Sequence, residues 1–422
     1  MLEIDMNIYF RKEVSKVFFF GDSVTFRLSD PVYRMNKGLS FIANCISEGN
    51  NDIDTIAQEL LDEYKINSDL NSVKEMILSR TLEDDSLRSV FTSSIDDAQT
   101  TPIVYGTMGK RYPKVLHIEL TGTCNFQCSH CYKNATYNGK YIDKYWLTDK
   151  IQNEFKGLIP IIHFTGGEPT LHPEFKDIVA LFEHDHVLQL TTNGSTILSH
   201  HIDLFKKFEA IDVSLYGLSP NDYLINTGNY DAFDRVKQGC ISLSKANIEF
   251  RVTLIVNNDN WHQMEDYVRF AIELGAKRIG FGLPTNGGKL LLNTTDKWSL
   301  SAETRRKIYK NFRAIQSKYG NIIDITEWDR KVYSDLWKTQ SDDDSLRCGG
   351  GTRDWWLSEK YTFRPCSFLP EQYICLDYTK WYNFVTNKEG INWAKARRNL
   401  ELFATENNRH ITDFCSIFRR EN

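Results

Sequence analysis

Between residues 114 and 285 the chain passes six times from a short apolar run to a helical pattern, and this alternation restricts the fold more than any other feature. The runs VLHIEL (115–120), IIHFT (161–165), LQLTT (188–192), IDVSL (211–215), FRVTLIV (250–256) and RIGFG (278–282) have the length and side chains of strands. Between them, segments such as HPEFKDIVALFEHD and HQMEDYVRFAIELG repeat apolar residues at helical spacing. Six βα units imply a parallel sheet with right-handed crossovers. The expected core is therefore α/β, a partial (βα)6 barrel over residues 114–300. Functional residues belong at the C-terminal ends of its strands.

Two further parts flank this core. KVFFF, Gly21-Asp22 and SVTFRL read as a β-hairpin with a two-residue loop, and PVYRM adds a third strand. Three short helices follow, marked by Leu39, Ile42 and Ile46, by Ile56, Leu60 and Tyr64, and by Val73 and Ile77. Asp52 or Asp54 is placed to cap the second helix. Strands followed by helices predict a winged-helix-like domain over 1–95. Polar clusters after residue 80 predict a linker, drawn at 96–113. Residues 301–422 lose the alternation and predict a small α+β domain.

Charge and composition exclude some functions. The net charge of −5 offers no global attraction to nucleic acid or to an anionic membrane. Residues 1–100 hold 18 Asp/Glu against 10 Lys/Arg, the wrong balance for a domain that grips phosphates. The start, MLEIDMNIYF, lacks the pattern of a signal peptide, and no apolar run is long enough to span a bilayer. The expected location is the cytoplasm. Nine cysteines, an odd number in a long chain, do not read as a disulfide scaffold.

Three of those cysteines lie within eight residues, in Thr121-Gly-Thr-Cys124-Asn-Phe-Gln-Cys128-Ser-His-Cys131. Thiolates are the usual protein ligands of iron–sulfur clusters, and three can hold three irons of a cubane while the fourth iron stays open. The alternative is a zinc knuckle, which wants a fourth Cys or His at suitable spacing. His130 is squeezed between two of the candidate ligands. Cys45 and Cys240 stand alone and read as small buried residues.

The C-x3-C-x2-C spacing directly after the first barrel strand resembles the radical S-adenosylmethionine (SAM) superfamily. That family commonly has an aromatic residue before the last cysteine, where this chain has His130. A second match is Gly166-Gly167-Glu168-Pro169 at the end of the second strand, the segment that in the family binds the SAM amino group. Asn193 after the third strand and Ser214 in the fourth match positions where the family places ribose-binding groups. Arg251 in the fifth strand is a candidate for the SAM carboxylate. The resemblance implies a [4Fe–4S] cluster on Cys124, Cys128 and Cys131. It also implies SAM on the open iron and a 5′-deoxyadenosyl radical as the hydrogen-abstracting species.

Four of the remaining cysteines, Cys348, Cys366, Cys375 and Cys415, lie in the C-terminal part. RDWWL and YTFRP around Ser358-Glu359-Lys360 predict a hairpin between Cys348 and Cys366, with Trp355 and Trp356 as packing residues. This resembles the Twitch type of auxiliary-cluster domain, a relative of the SPASM domain. It implies one more Fe–S cluster, with Cys348, Cys366 and Cys415 as ligands and Cys375 as a candidate fourth. Tyr361 stands where the family has Gly, and the closing C-x2-C is missing.

The pattern FFFGDSVTFRLSDPVYRMNKG followed by IDTIAQELLDEY resembles the PqqD-like recognition element of enzymes that mature ribosomally synthesised peptides. An exposed strand edge in such a domain pairs with an extended leader peptide. The three-part order resembles peptide-maturing radical SAM enzymes, including sactisynthases. It implies a precursor peptide whose leader binds residues 1–95, an electron donor such as flavodoxin or ferredoxin, and a thioether or carbon–carbon link as product. Epimerisation of a peptide, or modification of a folded protein, is the alternative within the family. An Fe–S redox sensor with a DNA-binding winged helix is the alternative outside it.

Overall fold

The computed structural model describes residues 6–324, apart from gaps at 21–22, 28–31, 36, 86, 100–101, 111, 285–286 and 292–294. It also describes residue 351 and the segments 354–367 and 375–386. The chain divides into two compact units: Met1–Lys114 with Gly157–Pro160 and Asn383–Glu389, and the remainder.

The first unit opens with β1 (Tyr9–Phe10), β2 (Lys16–Phe20), β3 (Ser23–Arg27) and β4 (Val32–Met35). β2 and β3 pair antiparallel with Phe20 opposite Ser23, the register of a two-residue connection, and β3 pairs antiparallel with β4. Helices follow at Lys37–Ser47, Ile53–Tyr64 and Leu70–Leu78. Asp52, rather than Asp54, caps the second: its carboxylate accepts from the Thr55 N–H at 2.9 Å. Alternation along β2 turns Val17 and Phe19 into a core shared with Phe10, Phe26, Ile56 and Phe91. The short strand β5 (Phe91–Thr92) pairs with β1.

The stretch 96–113, expected as a linker, contains a strand. Ile103–Tyr105 forms β6, which runs parallel to β2 with Tyr105 opposite Phe18, and the two rings stack at 5.4 Å. Three β-branched or aromatic residues in a polar surround suffice for a strand when a partner edge is available. The sheet order is β4-β3-β2-β6, so β4 is an outer strand paired on one side among the described residues.

The second unit holds the six expected parallel strands: β7 (Val115–Thr121), β8 (Ile161–Gly166), β9 (Val187–Thr192), β10 (Phe208–Leu215), β11 (Arg251–Ile255) and β12 (Arg278–Gly282). They neighbour one another in sequence order, as a partial (βα)6 barrel requires. Leu116, Ile118, Ile162, Phe164, Leu190 and Val213 are buried on one face, where Phe164 meets Phe175 and Phe182 of the outer helix and Phe208 at the start of β10. The other face is polar: His117 meets His163, His163 meets Thr191 and Asp212 meets Thr253 across strands, and Glu119 pairs with Lys133 of the following loop.

The sheet continues past β7. β13 (Asp354–Leu357) runs parallel to β7, and β14 (Phe363–Arg364) returns antiparallel to β13. This is the aromatic hairpin expected from RDWWL and YTFRP. Trp355 is fully buried and packs on Trp381 of the helix Tyr378–Thr386. Trp356 faces the other way and stacks on His117, with ring centroids 4.2 Å apart and planes 2° from parallel. No helix among the described residues is long and apolar enough to cross a membrane.

Candidate active site

The three-cysteine loop leaves the C-terminal end of β7 and is held by backbone bonds on both sides. The Gly122 and Cys124 N–H groups donate to the Lys140 and Thr136 carbonyls, so the returning segment closes the loop. From β8, the Gly167 N–H donates to Thr121 O at 2.7 Å and the Glu168 N–H to Thr123 O at 2.8 Å. Gly166, at φ +126°, and Gly167 allow that approach; a Cβ on Gly166 would lie 2.6 Å from Thr121 O. The Gly-Gly pair therefore locks the second strand end onto the cysteine loop.

Cys124 and Cys128 are buried and Cys131 is partly exposed; none is in a disulfide. Donors point at two of the sulfurs. The Phe126 N–H lies 3.4 Å from Cys124 Sγ, Asn193 Nδ2 3.8 Å from the same sulfur, and the Ala135 N–H 3.5 Å from Cys131 Sγ. Burial, with the Glu168 carboxylate nearby, pushes the Cys124 thiol up to about 12, and burial raises Cys128 still further. Two thiols so raised ionise only with a cation beside them. A zinc knuckle wants a fourth Cys or His at suitable spacing, and the loop itself offers three cysteines with His130 between two of them. The donor set fits a cluster that spreads its iron over several sites.

The glycine-rich strand end differs in detail from the expectation for its acidic residue. Glu168 is fully buried and its carboxylate is used within the chain. It accepts from Thr170 Oγ1 at 2.5 Å, Thr192 Oγ1 at 2.7 Å and the Asn193 N–H at 2.6 Å. Burial raises its pKa, against these hydrogen bonds. Pro169 begins the tight turn Pro169–Leu171. Asn193 likewise uses its amide on protein atoms: Nδ2 donates to Asn125 Oδ1 at 2.9 Å, and Oδ1 accepts from Ser195. Arg251 is ion-paired inside the sheet, with Nε 3.1 Å from Asp324 and Nη1 3.8 Å from Asp212, so the expected partner carboxylate belongs to the chain itself.

Ser214 does line a pocket. It lies at the ends of β10 and β11, between Tyr216, Ile255, Asn257, Trp298 and His130. The His130 ring is 4.3 Å from Trp298, whose indole N–H donates to Ser129 Oγ at 3.1 Å. Burial, helped by Lys297 and Lys289, pushes the His130 pKa down to about 4, so its imidazole is neutral. Its Nδ1 is buried without a hydrogen-bond partner among the described residues. A flat neutral ring, an orphaned polar atom and several hydroxyl and amide groups suit a nucleoside. Trp298, Asn257 and Asn260 were not among the expected site residues. The polar run Asn257-Asn258-Asp259-Asn260 directly after a strand was the signal for two of them.

A second group not expected from the sequence is a buried set of four charges. Lys133, two residues beyond Cys131, pairs with Glu119 of β7 at 2.5 Å and with Glu359 of the hairpin turn. Arg364 Nη2 lies 2.7 Å from the same Glu119 oxygen. Burial works against the Glu119 carboxylate, but Arg364 and Lys133 outweigh it and hold its pKa below the ordinary value. Of the C-terminal cysteines, Cys366 is partly exposed and Cys375 exposed. Paired backbone bonds between Phe363 and Leu376 bring the two segments side by side. Cys348 and Cys415 lie outside the described residues.

With this geometry in view, residues 118–271 match the family profile described as Radical SAM superfamily. The chain is 30% identical over 230 residues to a "Probable GTP 3′,8-cyclase" of Saccharolobus islandicus, covering 50% of this chain and 73% of that protein. It is 23% identical over 279 residues to the "Antilisterial bacteriocin subtilosin biosynthesis protein AlbA" of Bacillus subtilis. That match covers 62% of this chain but only 57% of the relative, less than two thirds of its length. Streptococcus suis SuiB, crystallised bound to its precursor peptide SuiA, shares the fold with a TM-score of 0.63. The superposition covers 89% of this chain and 87% of SuiB at 14% identity.

Proposed function

The chain belongs to the radical SAM superfamily, and from that premise we propose that it matures a ribosomally synthesised precursor peptide, most simply by forming a thioether or carbon–carbon link. The observation that carries this reading is the fold. Likeness to SuiB extends over 89% of the chain, well beyond the six βα units that any enzyme of the superfamily needs. A cyclase acting on a small molecule leaves the N-terminal sheet and helices without a task.

Cys124, Cys128 and Cys131 would hold the [4Fe–4S] cluster, and the pocket of His130, Ser214 and Asn257 would take the nucleoside of SAM. When bound, cluster and SAM together supply a hydrogen-atom abstractor strong enough for an unactivated carbon. The chain's own part is to fix and shield. Gly166 and Gly167 bring the β8 end to the cysteine loop. Glu168 braces that end against Thr192 and Asn193, and Asn193 in turn touches Cys124. Asn193 thus serves the cluster loop, while Ser214 serves the nucleoside. Cys366 and Cys375, with Cys348 and Cys415, supply ligands for one auxiliary cluster.

The leader of the peptide binds the N-terminal unit by adding a strand to the outer edge of β4, whose backbone is paired on one side only among the described residues. Flavodoxin or ferredoxin delivers the electrons, and the enzyme works in the cytoplasm without nucleic acid or membrane.

The test is anaerobic incubation with SAM, dithionite and the precursor peptide encoded beside this gene. A peptide lighter by two hydrogen atoms, with 5′-deoxyadenosine formed, supports cross-linking. Unchanged mass in H2O, with one deuterium gained at an α-carbon in D2O, turns the assignment to epimerisation. Absence of 5′-deoxyadenosine from wild type, with the cysteine loop loaded with iron, overturns the reading.

A further inference from the structure

Glu119, Lys133 and the hairpin residues Glu359 and Arg364 come from three separate segments of the sequence, yet their charged ends meet in one buried site. Lys133 follows the third cysteine of the loop by two residues, and Arg364 precedes Cys366 by two. Their side chains are 6% and 7% exposed, and those of Glu119 and Glu359 0% and 6%. Glu359 also reaches the start of the cysteine loop: a Cβ on Gly122 would lie 3.0 Å from its Oε1. One carboxylate oxygen, Glu119 Oε1, is buried with no hydrogen-bond partner among the described residues. Four buried charges are a costly way to hold two segments together, because each must be drawn out of water. An apolar contact would serve if adhesion were the only requirement. What an apolar contact does not provide is a charge balance of two cations against two anions beside the loop that carries the SAM cluster.

We propose that this quartet is an ionic clasp that positions the SAM-cluster loop against the hairpin leading to Cys366 and sets the charge the cluster senses, with Lys133 and Glu359 as positioning residues. The proposal rests on the cysteine loop holding a reducible cluster, as argued above. Polar groups around a cluster orient its ligands and tune its reduction potential. Adding an electron is harder beside an uncompensated negative charge and easier beside an uncompensated positive one. Lys133→Met leaves the site one charge negative, Glu359→Gln leaves it one charge positive, and the double variant restores neutrality.

The experiment is a redox titration of the reconstituted SAM cluster followed by electron paramagnetic resonance, with iron retention against a chelator measured alongside. The expected result is a lower midpoint potential for Lys133→Met, a higher one for Glu359→Gln, and a return towards wild type in the double variant. Iron retention in Lys133→Met should fall roughly 10–100-fold. If Lys133→Met does not fold, Glu359→Gln and Lys133→Arg still decide: the first must raise the potential and the second must leave it near wild type. Potentials that are unchanged, or that move in the same direction in both single variants while only the melting temperature falls, overturn the clasp. A wild-type protein that binds no cluster overturns the underlying reading instead.

Discussion

Gly167 and Thr123 meet backbone to backbone: a Cβ at 167 would stand 2.1 Å from the Thr123 carbonyl oxygen, inside any allowed contact. The same carbonyl accepts the Glu168 N–H, so the cysteine loop cannot move away without losing that bond. Gly167→Ala should therefore displace the loop that carries Cys124. We expect a destabilisation of about 1–3 kcal/mol, the usual cost of overpacking. Iron per chain after anaerobic reconstitution should fall below half of wild type. Full iron loading in the variant would show that the loop tolerates displacement.

Glu168 offers a sharper test of its bracing role. A Gln there keeps size and shape but turns an N–H group towards either the Asn193 N–H or the hydroxyls of Thr170 and Thr192. Towards the Asn193 N–H the new group meets another donor, and towards the hydroxyls it forces them to turn and accept in place of their bonds to a charged oxygen; either loss costs about 1–3 kcal/mol. Denaturant unfolding under anaerobic conditions should show that loss for Glu168→Gln. Stability equal to wild type would mean that the carboxylate is not the acceptor described.

Most of the architecture was legible because it is local. Leu116, Ile118 and Leu120 alternate with polar neighbours, and the helical repeats between strands are long. The cysteine spacing and the Gly-Gly pair lay in adjacent strand ends, so their meeting followed from parallel topology. What escaped was non-local. Ile103–Tyr105 looked like linker because its partner edge, β2, is some eighty residues earlier in the chain. Glu119 and Arg364 are separated by 245 positions, and no pattern within either strand announces the other. Asn193 reads as a ligand contact because turn asparagines at strand ends often are, and the folded arrangement adds that its amide engages Asn125 and Cys124.

The cap of the second helix carries a prediction for the N-terminal unit. Asp52 accepts from the Thr55 N–H and hydroxyl, and chiefly these bonds hold its carboxyl below the ordinary range. Asp52→Ala should cost about 1 kcal/mol, as loss of a helix cap does. Because the folded-state value is lowered, the contribution is present above the unfolded value, near about 4, and disappears as pH falls through the folded one. Asp52→Asn keeps an acceptor and should lose less at neutral pH, with no acid-dependent decline from this site. Circular dichroism melts from pH 3 to 7 distinguish the three proteins.

His163 makes the complementary case inside the sheet. Its Nε2 lies 2.8 Å from Thr191 Oγ1, its ring is 4.7 Å from that of His117, and burial, with His117 adding to it, holds its pKa well below the usual value. A base with a depressed folded-state pKa favours folding while it is neutral in both states. The unfolded chain begins to take up the proton near about pH 6.5, and the folded chain only at lower pH, so stability is lost as pH falls through that window. His163→Gln can keep the hydrogen bond to Thr191 without titrating. We expect the wild type to lose more stability than the variant between pH 7 and pH 5, as read from denaturant midpoints of anaerobic protein. Other titrating groups are common to both chains, so the difference between the two curves isolates this imidazole. Parallel curves would mean that His163 accepts a proton as readily in the folded sheet as in water, which its burial between β7 and β9 does not allow.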